Sequence, residues 1–66
     1  MSFEFGEHLK DLRFEKGYSQ AEIAKMMCID RTTYTKYETG KSQPDIEKLK
    51  RLCEIFEVDY NTLLDY

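Results

Sequence analysis

Residues 19–41 read SQAEIAKMMCIDRTTYTKYETGK, and this segment predicts two short helices joined by a tight turn. Ser19 and Glu22 have the spacing of a capping box, in which the serine hydroxyl accepts from a helix amide and the glutamate reaches back to the cap. We therefore expect a helix of about two turns to begin at Gln20. Its inward face is predicted to consist of Ile23, Ala24 and Met27.

A second short helix is predicted after a turn at Cys28-Ile29. Asp30 is its candidate N-cap, and Gly40 permits the left-handed backbone that often ends a helix. On a helical wheel of about 100° per residue, Tyr34 and Tyr37 face the core. The side chains expected to project outward are Arg31, Thr32, Thr35, Lys36 and Thr39. Two such helices around a tight turn indicate a helix-turn-helix at about residues 19–39.

Helical periodicity also covers the chain on both sides of this segment. Upstream, apolar residues recur from Phe5 at i, i+4 and i+7, which predicts a helix over about residues 4–16 that ends before Gly17. Downstream, Asp45 and Asp59 are N-cap candidates for a fourth helix and for a short fifth one over residues 60–64. The inward face of the fourth helix is predicted to consist of Ile46, Leu49, Leu52, Cys53 and Phe56. We therefore expect a compact all-α fold of five helices, with residues 1–66 forming a single domain.

Length and composition exclude several classes of protein. A chain of 66 residues hides only about 60% of its unfolded surface, so a large buried substrate pocket is hard to support. The longest apolar run has four residues, 26–29, far fewer than the ~20 needed to cross a bilayer. Residues 1–5 lack the basic and apolar regions of a signal peptide, so we expect a cytoplasmic protein.

Candidate metal ligands and catalytic groups are sparse. Cys28 and Cys53 are each isolated, and His8, which is expected on the surface without a partner, is the single histidine. We expect both cysteines to be reduced and to pack as small hydrophobic residues, with a disulfide as the alternative. The sequence therefore predicts no enzyme, no metal or other cofactor and no small-molecule ligand.

Charge is distributed unevenly along the chain. The net charge is −3, but residues 19–43 contain four basic and three acidic residues, whereas residues 44–66 contain three basic and six acidic. Net acidity argues against a protein that coats polyanions indiscriminately, because phosphate neutralisation drives that mode of binding. It is compatible with a sequence-selective site on one basic face.

The segment 19–41 closely resembles the lambda-repressor/Cro-like helix-turn-helix family, also called the xenobiotic-response-element family. The similarity extends upstream through Leu9 and downstream through Leu63, so that it covers nearly the whole chain. Two residues depart from the family pattern. Cys28 replaces a turn glycine, which costs about 1 kcal/mol at positive φ, and Tyr34 replaces isoleucine or valine, so its hydroxyl needs a partner or an exit to solvent.

The resemblance implies double-stranded DNA as the partner and assigns roles to particular residues. The base-reading positions correspond to Arg31, Thr32 and Lys36. Contacts to the DNA backbone, or accessory contacts, correspond to Gln20, Thr33, Thr35, Thr39, Gly40 and Lys41. Arg13 and Glu38 correspond to a partly buried ion pair that ties the first helix to the end of the third.

The function implied is that of a DNA-binding transcriptional regulator, most simply a repressor in a prokaryotic or phage setting. Because one helix contacts few base pairs, a homodimer on a palindromic operator is expected. Candidate dimer contacts are Phe3, Phe5, Tyr60, Leu64 and Tyr66. The alternative is a protein-interaction module, such as an antitoxin or adaptor, that keeps the fold and uses the acidic residues Glu54, Glu57, Asp59 and Asp65 for a basic partner.

Overall fold

Five α-helices and no strand make up the described part of the chain in the computed structural model, which describes residues 3–65 without the side chain of Phe3. The helices are α1 (Phe3–Lys16), α2 (Gln20–Met27), α3 (Arg31–Glu38), α4 (Ile46–Phe56) and α5 (Tyr60–Leu64). The predicted all-α class and the order of the helices are confirmed. None of the described helices combines the length and the apolar character that a membrane span requires.

Most helix starts are stabilised by the caps that the sequence predicts. Ser19 Oγ accepts from the Glu22 amide at 3.0 Å, and Glu22 Oε1 accepts from the Ser19 amide at 2.8 Å, which completes the capping box. Asp45 and Asp59 accept from helix amides at 2.9 and 2.8 Å, and these hydrogen bonds lower the pKa of both carboxyls. Asp30 occupies the predicted N-cap position of α3, although its side chain accepts no hydrogen bond from a helix amide.

The turn between α2 and α3 passes through a left-handed residue. Cys28 has φ 57° and ψ 41°, and its amide donates to carbonyls of the last turn of α2. The Cys28 side chain is exposed because the turn carries it off the buried face of α2, so its predicted packing was wrong. Cys53 is partly buried against the core, and burial raises the pKa of its thiol. Both thiols are free.

A single hydrophobic core fills the space between the helices. Its buried members are Phe5, Leu9, Leu12, Ile23, Ala24, Met27, Tyr34, Tyr37, Leu49, Leu52, Ile55, Phe56 and Leu63. Ile46 is 69% exposed, contrary to prediction, because α4 begins there and its covered face starts one turn later, while Ile55 is buried instead. Phe5 is fully buried, so it is a core residue and is not available as a dimer contact.

The close approach of α1 to α3 depends on Gly6. A Cβ atom built on Gly6 would lie 2.2 Å from the carbonyl oxygen of Glu38, well inside contact distance. Glycine is unfavourable within a helix, so the structural role of Gly6 is to leave space for the neighbouring backbone. The helical periodicity of the sequence did not point to this contact.

Candidate nucleic-acid interface

Helix α3 has one buried face and one exposed face. Tyr34 and Tyr37 are 0% and 4% exposed and meet edge to face, with ring centroids 6.2 Å apart, as their predicted inward placement requires. On the outer side, the side chains of Arg31, Thr32 and Lys36 are exposed, and Thr33 is half-buried. The three residues expected to read bases therefore share the accessible side of one short helix.

The exposed charge on α3 and on the turn that follows it is positive. Glu38 is the only acidic residue in the segment 31–41, and it is buried. Arg31, Lys36 and Lys41 are exposed and take part in none of the ion pairs found among residues 3–65. These cations are therefore free to neutralise an anionic partner, even though the chain as a whole is acidic.

Arg13 and Glu38 form a buried ion pair between α1 and the end of α3. Arg13 Nε donates to Glu38 Oε2 at 2.7 Å and Nη2 donates to Oε1 at 3.2 Å, which gives a bidentate pair. Arg13 Nη1 also donates to the Tyr18 carbonyl at 3.0 Å. The two side chains are 9% and 3% exposed, in the arrangement that the family resemblance implies.

The charged state of this pair is held by its hydrogen bonds. Burial alone would raise the pKa of Glu38, but hydrogen bonds, chiefly from Arg13, lower it below its ordinary value. The pKa of Arg13 is raised, first by its hydrogen bond to Glu38. Both groups are therefore ionised at neutral pH.

The hydroxyl of Tyr34 lies beside this pair without a hydrogen bond of its own. Tyr34 Oη is fully buried and has no partner of acceptable geometry among the described residues, so neither the expected exit nor the expected partner is present. Burial raises the pKa of Tyr34, and the nearby Glu38 carboxylate raises it further. The Tyr34 hydroxyl therefore lies close to the Glu38 carboxylate, although no hydrogen bond of acceptable geometry joins the two.

Gln20, at the start of α2, is tied to α3 by two hydrogen bonds. Its Nε2 donates to Glu38 Oε1 at 3.0 Å, and its Oε1 accepts from Thr35 Oγ1 at 2.8 Å. Gln20 and Thr35 are both half-buried, and Thr35 lies at the edge of the outward face of α3 with its hydroxyl turned toward Gln20. No signal in the sequence alone indicates these two contacts.

The turn after α3 is compact and has a left-handed glycine at its centre. Gly40 has φ 77°, and the carbonyl of Lys36 accepts from the amides of Lys41 and Ser42 at 2.9 and 3.3 Å. Thr39 Oγ1 donates to the Thr35 carbonyl at 3.1 Å, so its hydrogen is already used within the helix. Of the residues 39–41, the exposed side chain of Lys41 offers the clearest donor to a phosphate.

The candidate dimer contacts are only partly described. Tyr60 and Leu64 are 40% and 41% exposed and lie one turn apart on α5, whereas the side chain of Phe3 and all of Tyr66 fall outside the described residues. His8, expected to have no partner, is half-buried, and its Nε2 lies 2.8 Å from the Thr62 carbonyl. That contact holds α5 against α1.

Comparison with known proteins finds a matching protein family and relatives of phage origin. Residues 9–63 match the family described as helix-turn-helix. The chain is 47% identical over 60 residues to the SPbeta prophage-derived HTH-type transcriptional regulator YonR of Bacillus subtilis, an alignment covering 91% of this chain and 56% of YonR. It is 32% identical over 54 residues to the cryptic phage CTXphi transcriptional repressor RstR of Vibrio cholerae, covering 82% of this chain and 49% of RstR. The chain thus spans about half the length of these two relatives.

Another relative and a solved structure extend the comparison. The HTH-type transcriptional activator BcrR of Enterococcus faecalis is 38% identical over 61 residues, covering 92% of this chain and 30% of BcrR. The crystal structure of the restriction-modification controller protein C.AhdI from Aeromonas hydrophila superimposes with a TM-score of 0.84 at 27% identity, covering 91% of each chain. The fold is therefore shared with a controller protein over nearly its whole length.

Proposed function

Because this chain belongs to the helix-turn-helix family, we propose that it is a sequence-specific DNA-binding transcriptional regulator that places α3 in the major groove. The observation that carries this proposal is that α3 has one buried face and one exposed polar face. Its tyrosines are buried, while its outer face presents hydroxyl groups and cations that form no ion pair among residues 3–65. These are the side chains that read base edges and phosphates.

Specific roles are assigned to the outer residues of α3. Arg31 reads a guanine, because its planar guanidinium can donate to the N7 and O6 atoms together. Thr32 contacts a base through its hydroxyl or through its methyl group against thymine, and Lys36 donates to a guanine or a phosphate. The contacts that position the helix on the DNA backbone come from Gln20, Thr33, Gly40 and Lys41. Thr35 and Thr39, whose hydroxyl hydrogens are used within the protein, are accessory residues.

The functional form is a homodimer on a palindromic operator. One short helix reads only a few base pairs, and a two-fold pair of such helices spans half-sites about 34 Å apart. Tyr60 and Leu64 offer exposed apolar surface for the second copy. Regulation is by repression, in which the bound dimer blocks access to a promoter.

The acidic half of the chain supports a second candidate function, an antitoxin-like or adaptor module that binds a basic partner. Glu54, Glu57, Asp59 and Asp65 are all exposed. Two of them are already paired, however, because Arg51 Nη1 lies 3.1 Å from Glu54 and Lys16 Nζ lies 3.3 Å from Glu57. The cations of α3 have no such partner in the described part of the chain, which makes DNA the better-supported partner.

Selection from a random duplex library at ~150 mM salt separates the two functions, since salt suppresses binding that depends on phosphates alone. Enrichment of a palindrome with half-sites one turn apart supports the dimeric regulator, and sedimentation of the 7.9 kDa chain then shows whether it dimerises before it binds. Absence of any enriched sequence, with circular dichroism showing a folded protein, overturns DNA recognition and favours the interaction module.

A further inference from the structure

A chain of polar contacts runs from α1 through α2 to the edge of the outer face of α3. Arg13 donates to Glu38 at 2.7 Å, Gln20 Nε2 donates to the same carboxylate at 3.0 Å, and Thr35 donates to Gln20 Oε1 at 2.8 Å. Thr35 and Gln20 are separated by 15 positions in sequence and Gln20 and Glu38 by 18, so packing of α2 on α3 assembles them.

Chemistry allows only one direction for these hydrogen bonds. An ionised carboxylate can only accept, and Arg13 keeps Glu38 ionised. Gln20 must therefore turn its NH₂ group toward Glu38, which leaves its carbonyl oxygen facing Thr35. Because that oxygen can only accept, the Thr35 hydroxyl must donate to it.

The direction of these hydrogen bonds determines which hydrogen-bond donors remain available to DNA. Nε2 of Gln20 has two hydrogens, of which Glu38 takes one, so one N–H remains to donate. The single hydroxyl hydrogen of Thr35 is committed to Gln20. Because phosphate oxygens at neutral pH accept hydrogen bonds, Gln20 is suited to bind a phosphate and Thr35 is not.

We propose that Thr35 is a positioning residue that holds the Gln20 amide in the orientation needed to donate to a DNA phosphate, and that it does not itself read a base or bind a phosphate. This inference rests on the proposed function. It replaces the role that the sequence suggested for Thr35, a direct contact to the DNA backbone or a base edge. It also links the buried Arg13–Glu38 pair to the DNA surface through Gln20.

The first test is a double-mutant cycle with the duplex enriched from the random library. Thr35→Val keeps the shape and β-branching but removes the hydroxyl, and we expect about 3- to 10-fold weaker binding. Thr35→Ser retains the hydroxyl and is the matched control, with binding close to that of the parent. In the Gln20→Ala background, Thr35→Val should change affinity less than about twofold, since the group that it positions is gone.

Selection with Thr35→Val provides a readout that separates positioning from base reading. A positioning role predicts the parent's consensus sequence with weaker retention, because Gln20 contacts the backbone and not a base. A changed preference at one base pair would show that Thr35 reads DNA directly and would overturn the proposal. An undiminished effect of Thr35→Val in the Gln20→Ala background would overturn it as well.

A measurement without DNA distinguishes failure of this inference from failure of the proposed function. Nuclear magnetic resonance of the Gln20 side-chain amide should show slow hydrogen exchange in the parent and in Thr35→Ser, and faster exchange in Thr35→Val. Equal exchange in all three would overturn the ordering role of Thr35, whatever the DNA result. An ordered Gln20 amide in a protein that enriches no duplex would instead overturn the proposed function, and the DNA role of Thr35 with it.

Discussion

Arg13 Nε lies 2.7 Å from Glu38 Oε2, in a pair that joins α1 to the last residue of α3 and is almost completely hidden from solvent. The pair therefore sets the position of the proposed recognition helix relative to the rest of the core. Removing one partner would leave the other as an uncompensated buried charge. The stability of the fold and the geometry of the proposed DNA surface thus depend on the same contact.

The Arg13→Met variant should lose about 3–5 kcal/mol of stability, because a methionine side chain cannot neutralise the Glu38 carboxylate. Thermal and urea unfolding followed by circular dichroism would measure the loss. Adding Glu38→Leu should recover much of it, since the double variant buries no charge. A melting curve of Arg13→Met identical to that of the parent would contradict the coupled pair.

Acid should destabilise the protein through Glu38. Its pKa is lower in the folded chain than in the unfolded one, so its contribution is complete above the unfolded value of about 4.3 and is lost as pH falls through the folded value. Urea midpoints between pH 7 and pH 3 should fall more steeply for the parent than for Glu38→Gln. The pH dependence of the urea midpoint that remains in Glu38→Gln is assigned to Asp45 and Asp59, whose pKa values are also lowered. Parallel curves would show that Glu38 is not the source.

Replacing Arg31 should weaken DNA binding without affecting the fold. Arg31 is exposed and forms no ion pair among residues 3–65, so Arg31→Ala should leave far-UV circular dichroism unchanged. Affinity for the enriched duplex should drop by ~1–3 kcal/mol, with relaxed preference at one base pair. Lys50→Ala, which removes an exposed cation from α4, is the control and should retain the preference. Equal binding by Arg31→Ala and the parent would remove Arg31 from the site.

The left-handed turn residue offers a route to higher stability. Cys28 has φ 57°, a conformation that costs a residue with a Cβ atom about 1 kcal/mol relative to glycine. Cys28→Gly should raise the unfolding free energy by about that amount in urea titrations. Cys28→Ala keeps the Cβ atom and is expected to show no such gain, and equal stabilities of the two variants would refute the strain at this turn.

Gly6 should be intolerant of the smallest substitution. Alanine favours a helix over glycine by about 1 kcal/mol, but its Cβ at this position would overlap the carbonyl oxygen of Glu38. We expect Gly6→Ala to lose about 1–3 kcal/mol as α1 is pushed away from α3. Lys10→Ala, at an exposed position of the same helix, should stay within about 0.5 kcal/mol of the parent. A Gly6→Ala protein more stable than the parent would mean that the two helices separate at little cost.

Several features were predictable because they depend on residues that are neighbours in sequence. The capping box at Ser19 and Glu22 closes within one helical turn, and the Asp45 and Asp59 caps do the same. The inward faces of α2 and α3 followed from helical periodicity. The same periodicity failed at Ile46. A helical repeat shows which residues share a face, but it does not show where along that face the neighbouring helices begin to cover it.

The order of residues along the chain is enough to specify the helices, their limits and the two-sided character of α3, since these arise from local hydrogen bonds and the 3.6-residue repeat. Family resemblance, not spacing, pointed to the Arg13–Glu38 pair. Other contacts became visible only in the packed molecule: Gly6 admits the backbone of Glu38, and Thr35 donates to Gln20. These features join residues far apart in the chain, so they form only when the helices pack against one another.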